Sequence, residues 1–128
     1  MADVTYNELQ DRVARKLQIV GDAESLDADY AAIIIDGLLA IQAQVNRVGV
    51  ASFDVANGID YPYVEPFAEI VAAELVDDFQ IPEPRRSQLI ASAKWGMPGR
   101  SPAERNLRNL LDGVTNKLFV TATDVTVV

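Results

Sequence analysis

Apolar positions recur at helical spacing through most of the chain. Tyr6, Leu9, Val13 and Leu17 fall three and four apart and so share one helical face. Thr5-Tyr-Asn-Glu8 ahead of them has the spacing of a capping box, and the pattern predicts a helix that ends before Gly21. Asp27 or Asp29 is placed to cap a second helix with the stripe Tyr30, Ile34, Leu38, Ile41, Val45 and Val48, closing at Gly49. Ile33, Ile35, Leu39 and Ala40 lie outside that stripe. Such a width predicts either deep burial within the domain or a second face covered by a partner.

The next stretch, SFDVANGIDYPY, carries Asn57-Gly58 between weakly alternating flanks, which predicts a short hairpin or loop over about 52–61. A third helix is expected from Pro62 to Phe79, with Val64, Phe67, Val71, Leu75 and Phe79 inward and Glu65, Glu69, Glu74, Asp77 and Asp78 mostly solvated. Pro82 stops it, and Pro84 opens a shorter helix to about Lys94. After the loop Trp95-Gly-Met-Pro-Gly-Arg100, Ser101-Pro-Ala-Glu104 offers a second capping box with proline at the first helical position. The helix it starts is expected to bury Leu107, Leu110 and Leu111, with Val114 just past its end, and Gly113 closes it. The expected fold is mainly α, about five helices in a small bundle, with a helical domain over 1–116 and an extended tail over 117–128.

That tail, KLFVTATDVTVV, has the alternation of a strand. Extended, it turns Phe119, Thr121, Thr123, Val125 and Val127 to one side, and Val120, Ala122, Asp124, Thr126 and Val128 to the other. No long strand precedes it to pair its amides and carbonyls. Ordering costs about 1–2 kcal/mol per residue, and full burial of a valine returns about 1.5–3 kcal/mol, so half-buried valines do not cover the cost alone. The tail is therefore expected to add as a strand to another chain, across a reach on the order of 40 Å. Its alternative partner is the predicted hairpin at Asn57-Gly58.

Composition removes much chemistry. The 128 residues include no histidine and no cysteine, which excludes disulfides, thiolate nucleophiles, histidine general bases and the usual zinc sites. Serine, aspartate and glutamate without histidine make no visible triad, so no catalytic residue, no metal site and no cofactor are expected, and the chain reads as a non-enzyme. No uninterrupted apolar run approaches about 18 residues and Met1 to Leu9 has no signal-peptide pattern, so a soluble protein away from membranes is expected.

Net charge is −8 but unevenly spread. Up to residue 84 the only cations are Arg12, Arg15, Lys16 and Arg47, whereas 85–117 holds Arg85, Arg86, Lys94, Arg100, Arg105, Arg108 and Lys117 against Glu104 and Asp112. Such a basic stretch serves either an acidic neighbouring subunit or nucleic acid. The acids Glu65, Glu69, Glu74, Asp77 and Asp78 read as a solvated helix face, since no loop of alternating oxygen ligands accompanies them. Arg85 and Arg86 are placed to offset Asp77 and Asp78 near a helix C-terminus, from the same chain or the next. The glycines of KWGMPGRS lack the spacing of a phosphate loop and follow no strand, so they mark a connector. The turn there is too long for a helix-turn-helix, and Trp95 reads as a packing anchor.

The segment IDYPYVEPFAEIVAAELVDDFQIPEPRRSQLIASA, an aromatic-proline entry, an amphipathic helix, a proline-marked break and a further helix, resembles the head-to-tail adaptor (connector, head-completion or packaged-DNA-stabilisation) proteins of tailed bacteriophages. TYNELQDRVARKLQIVGDAESLDADYAAIIIDGLLAIQAQVNRVGV is similar to the two opening helices of that family, so the resemblance spans residues 5 to about 112. It implies a virion structural protein in the neck between head and tail, assembled in the host cytoplasm as a homo-oligomeric ring of twelve copies. Portal protein would lie above the ring, with a tail, nozzle or further connector protein below it. Packaged double-stranded DNA would pass through the lumen without sequence-specific binding. Carried onto this chain, the portal-binding element is Phe119 to Val128. Candidate inter-subunit residues are Ile33, Ile35 and Leu39, with Arg85, Arg86, Arg105 and Arg108 on the basic side. The competing expectation is a helical nucleic-acid-binding or regulatory module built on residues 85–117.

Overall fold

The computed structural model of the chain describes residues 4–20, 26–49 and 52–111. The tail 117–128, with every candidate residue on it, and Val114 lie outside the described residues. Among the described residues five α-helices follow one another: α1 Tyr6–Leu17, α2 Ala28–Arg47, α3 Tyr61–Glu74, α4 Arg85–Ala93 and α5 over 102–111. The architecture is the mainly helical bundle that the periodicity predicts.

The first two helices start where a side chain satisfies a free amide. Thr5 Oγ1 accepts from the Glu8 amide at 3.2 Å, and Asp27 Oδ1 accepts from the Asp29 amide at 2.7 Å. Helix α1 ends before glycine is reached, because Gln18 takes a left-handed conformation (φ 62°) and the Ile19 amide reaches back to the Ala14 carbonyl at 3.2 Å. The third helix is shorter than its apolar pattern suggests. The Leu75 amide is shared between the Val71 and Ala72 carbonyls, residues 75–80 continue as turns, and Gln80 (φ 52°) closes them ahead of Pro82. Val76 and Phe79 still pack on the core.

The Asn57-Gly58 segment is a loop and not a hairpin. A two-residue hairpin turn of type I′ needs positive φ at both central residues, and only Gly58 has it (88°). Val55–Asn57 instead winds into a 3₁₀ turn, closed by the Asn57 amide on the Asp54 carbonyl at 3.0 Å. The flanks find separate partners. Ile59 exchanges both backbone hydrogen bonds with Val4 (3.1 and 3.0 Å), an isolated antiparallel bridge. Phe53 exchanges two with the Asn46 side chain (2.8 and 2.9 Å), and the Val55 amide donates to Gln42 Oε1 at 2.7 Å. Polar side chains of α2 thus take the place of a second strand.

Helix α3 is the hub. It packs against α1, α2 and α4 and buries Val64, Phe67, Ala68, Ile70, Val71, Ala72 and Ala73. Phe67 is fully enclosed and meets Phe53 edge-on at 5.3 Å. Helix α2 buries Ile34, Leu38, Ile41 and Val45 of its stripe; at its ends Val48 is exposed and the partly exposed Tyr30 meets Phe79 edge-on at 5.3 Å. At 20 residues and a mean hydropathy of 1.3, α2 is long and apolar enough by composition to cross a membrane. This differs from the expectation based on uninterrupted apolar runs, because Asp29, Asp36, Gln42 and Gln44 break the run while the average absorbs them.

Candidate interaction surfaces

The acidic residues of α3 and of the turns after it do more than face water. Glu65 accepts from Arg12 at 3.4 Å and pairs with Lys16, which also approaches Glu69 at 3.8 Å; Glu74 pairs with Lys94 at 3.2 Å and Asp77 with Arg86. These pairs join α3 to α1 and α4. Being partly exposed, each contributes at most about 1 kcal/mol, and together they set the register between helices more than the stability. Among the described residues no group of three or more acidic side chains is arranged to hold a metal ion.

The basic candidates separate into two kinds. Arg85 and Arg86 are engaged within their own chain: Arg85 donates from Nε (3.0 Å) and Nη2 (2.7 Å) to the Lys16 carbonyl at the end of α1, and Arg86 pairs with Asp77. Of the two origins open for an arginine beside Asp77, the same chain supplies it. Arg108 is likewise taken up, by Glu104 at 2.9 Å and by the Trp95 ring at 5.0 Å. Arg105 is exposed and carries no ion pair among the described residues.

Glu104 explains the loop before α5. Ser101 Oγ accepts from the Glu104 amide at 3.3 Å, half of the expected capping box, but the carboxylate does not turn back to the cap. It is buried (2% exposed), and it accepts from the Gly96 amide at 2.9 Å and from Arg108, with Arg100 at 3.8 Å. Gly96 (φ 84°) and Gly99 (φ 79°) give the loop left-handed turns that a side chain would strain. The loop is a connector tied down from within, as its spacing suggests, and Trp95 is its anchor. Nothing in the sequence flagged Glu104 as buried; three arginines within four residues of it were the available signal.

The apolar candidates of α2 form a surface. Ile33 and Ile35 are half-buried and Leu39 is 44% exposed. Between α2 and the end of α3 lies a groove of about 410 Å³, lined by Ile33, Asp36, Gly37, Ala40, Glu74, Leu75 and Asp78. Its floor is apolar and its rim carries three carboxylates, of which Glu74 alone has a cation beside it among the described residues. Gly37 makes the close approach of α2 to α3 possible: a Cβ there would stand 2.9 Å from the Leu75 side chain. A second cavity, of about 290 Å³, opens where α1, α3 and α4 meet and is lined by Arg12, Arg15, Lys16, Glu65 and Arg85. The sequence separates Arg12 from Arg85 by 73 positions, so only the fold brings these cations together. The chain matches no family model, no curated protein and no solved structure.

Proposed function

We propose that the protein is a structural subunit of the head-to-tail junction of a tailed bacteriophage, acting by assembly and not by catalysis. It forms a homo-oligomeric ring, contacts the portal through residues 117–128 and encloses the passage for packaged DNA. The observation that carries this reading is the outer face of α2. A 20-residue helix that lends one stripe to the core and leaves Ile33, Ile35 and Leu39 half-covered or exposed beside a groove is suited to a second protein surface. The contrast between an acidic groove and an exposed Arg105 on α5 suits a head-to-tail contact, in which two different faces of identical subunits meet and the rotation closes a ring. An overall negative subunit also suits a channel through which phosphate must slide without being held.

Sedimentation velocity and negative-stain imaging of the purified chain, alone and with portal protein, test the proposal. The expected result is a closed ring, formed alone or on the portal, that Leu39→Asp prevents. Removing residues 117–128 is expected to leave a folded helical subunit that no longer attaches to the portal. A chain that stays monomeric with portal present, and binds duplex DNA in a salt-dependent way instead, would overturn it.

A further inference from the structure

We propose that the cavity between α1, α3 and α4 is a binding site for a phosphate group. In a chain of net charge −8, four of the eleven basic residues, Arg12, Arg15, Lys16 and Arg85, line this one cavity of about 290 Å³. They come from two helices that the sequence keeps far apart. One carboxylate, Glu65, lines the cavity; Asp11 stands 2.8 Å from Arg15 Nε and Glu69 3.8 Å from Lys16 Nζ. Among the described residues Arg12, Arg15 and Lys16 each have a carboxylate partner, and the unmatched cation is Arg85. Its guanidinium is fixed by the Lys16 carbonyl, a neutral acceptor, and has no carboxylate beside it among the described residues.

Partial burial makes that unmatched charge count. The side chains of Arg12 and Lys16 are 31% and 22% exposed, so an anion between them is screened less than at an open surface. Glu65 shows what the cavity accepts. Its two oxygens meet Arg12 and Lys16 and can reach no further, because a carboxylate is planar and offers acceptors in one plane. A phosphate group presents oxygens tetrahedrally and can address donors from α1 and α4 at once, with arginine forks as the matching partners. Glu65 is then the resident competitor. It sits on the outer face of α3 with a half-exposed side chain, free to turn to water when phosphate enters.

This assignment is independent of ring formation, and its test has a sign on each arm. Inorganic phosphate titrated into the whole protein by calorimetry, at ionic strength held constant with sodium chloride, should bind saturably. Glu65→Gln, which removes the competitor, should tighten binding about tenfold, and Arg85→Gln should weaken it about tenfold. Arg12→Gln supplies the same reading should Arg85→Gln fail to fold for want of its bond to the end of α1. A short DNA duplex distinguishes the source: duplex binding displaced by free phosphate marks a backbone phosphodiester, and phosphate binding without duplex binding marks a free phosphate. Heat equal to that of chloride, acetate competing as well as phosphate, or Glu65→Gln leaving affinity unchanged or lower would overturn the proposal.

Discussion

Helices α2 and α3 are both rich in alanine and branched apolar residues, yet the bundle uses them differently. α3 is enclosed on several sides by α1, α2 and α4, so residues off its stripe, such as Ala68, Ile70 and Ala72, are as buried as Phe67. α2 has neighbours on one side only, and Ile33, Ile35 and Leu39 remain half-covered or exposed. Apolarity therefore measures how much surface a helix needs covered, and the number of neighbours decides how much the chain covers by itself. Under the proposed function, the remainder on α2 is the surface offered to a second copy.

The contrast can be broken at its strongest point first. Phe67→Ala removes the fully buried ring at the hub and should cost about 3–5 kcal/mol in urea denaturation. A loss below 1 kcal/mol would mean that α3 is not the centre. At the seam between the two helices, Gly37→Val forces a branched side chain against Leu75 and should cost about 1–3 kcal/mol, read from the same curves. Removing the cap of the outer helix, Asp27→Ala, should cost about 1 kcal/mol and lower helical ellipticity slightly. The smallest effect on stability belongs to Leu39→Ser. On the exposed side of α2 it should change unfolding by no more than about 0.5 kcal/mol while weakening self-association in sedimentation. If Leu39→Ser destabilised the monomer as much as Gly37→Val does, the outer face of α2 would have to be counted with the core.

Much of the fold was legible because it rests on local physics. Thr5, Asp27 and Ser101 were readable as caps, since a short polar side chain before a periodic apolar run satisfies free amides whatever surrounds it. The stripes of α1 and α2 were readable for the same reason. The hairpin expected at Asn57-Gly58 failed where a local signal met tertiary competition. Val4 lies far away in sequence and offers Ile59 a full backbone pair, while Asn46 and Gln42 take the other flank. The end of α3 was overrun for a similar reason, since its apolar spacing continues into turns that still face the core.

Of the candidate surfaces, the sequence showed the excess width of α2 and the cluster of basic residues after position 84. It did not show that Arg85 and Arg86 bind within their own chain, or that Arg85 joins Arg12, Arg15 and Lys16 around one cavity. Periodicity, capping and composition act over a few residues, so the chain alone determined its helices, its lack of cysteine and histidine and its uneven charge. Which helix became central, which acids became clasps and which cations met were decided only by packing. Those outcomes depend on contacts between residues tens of positions apart, and no local pattern encodes them.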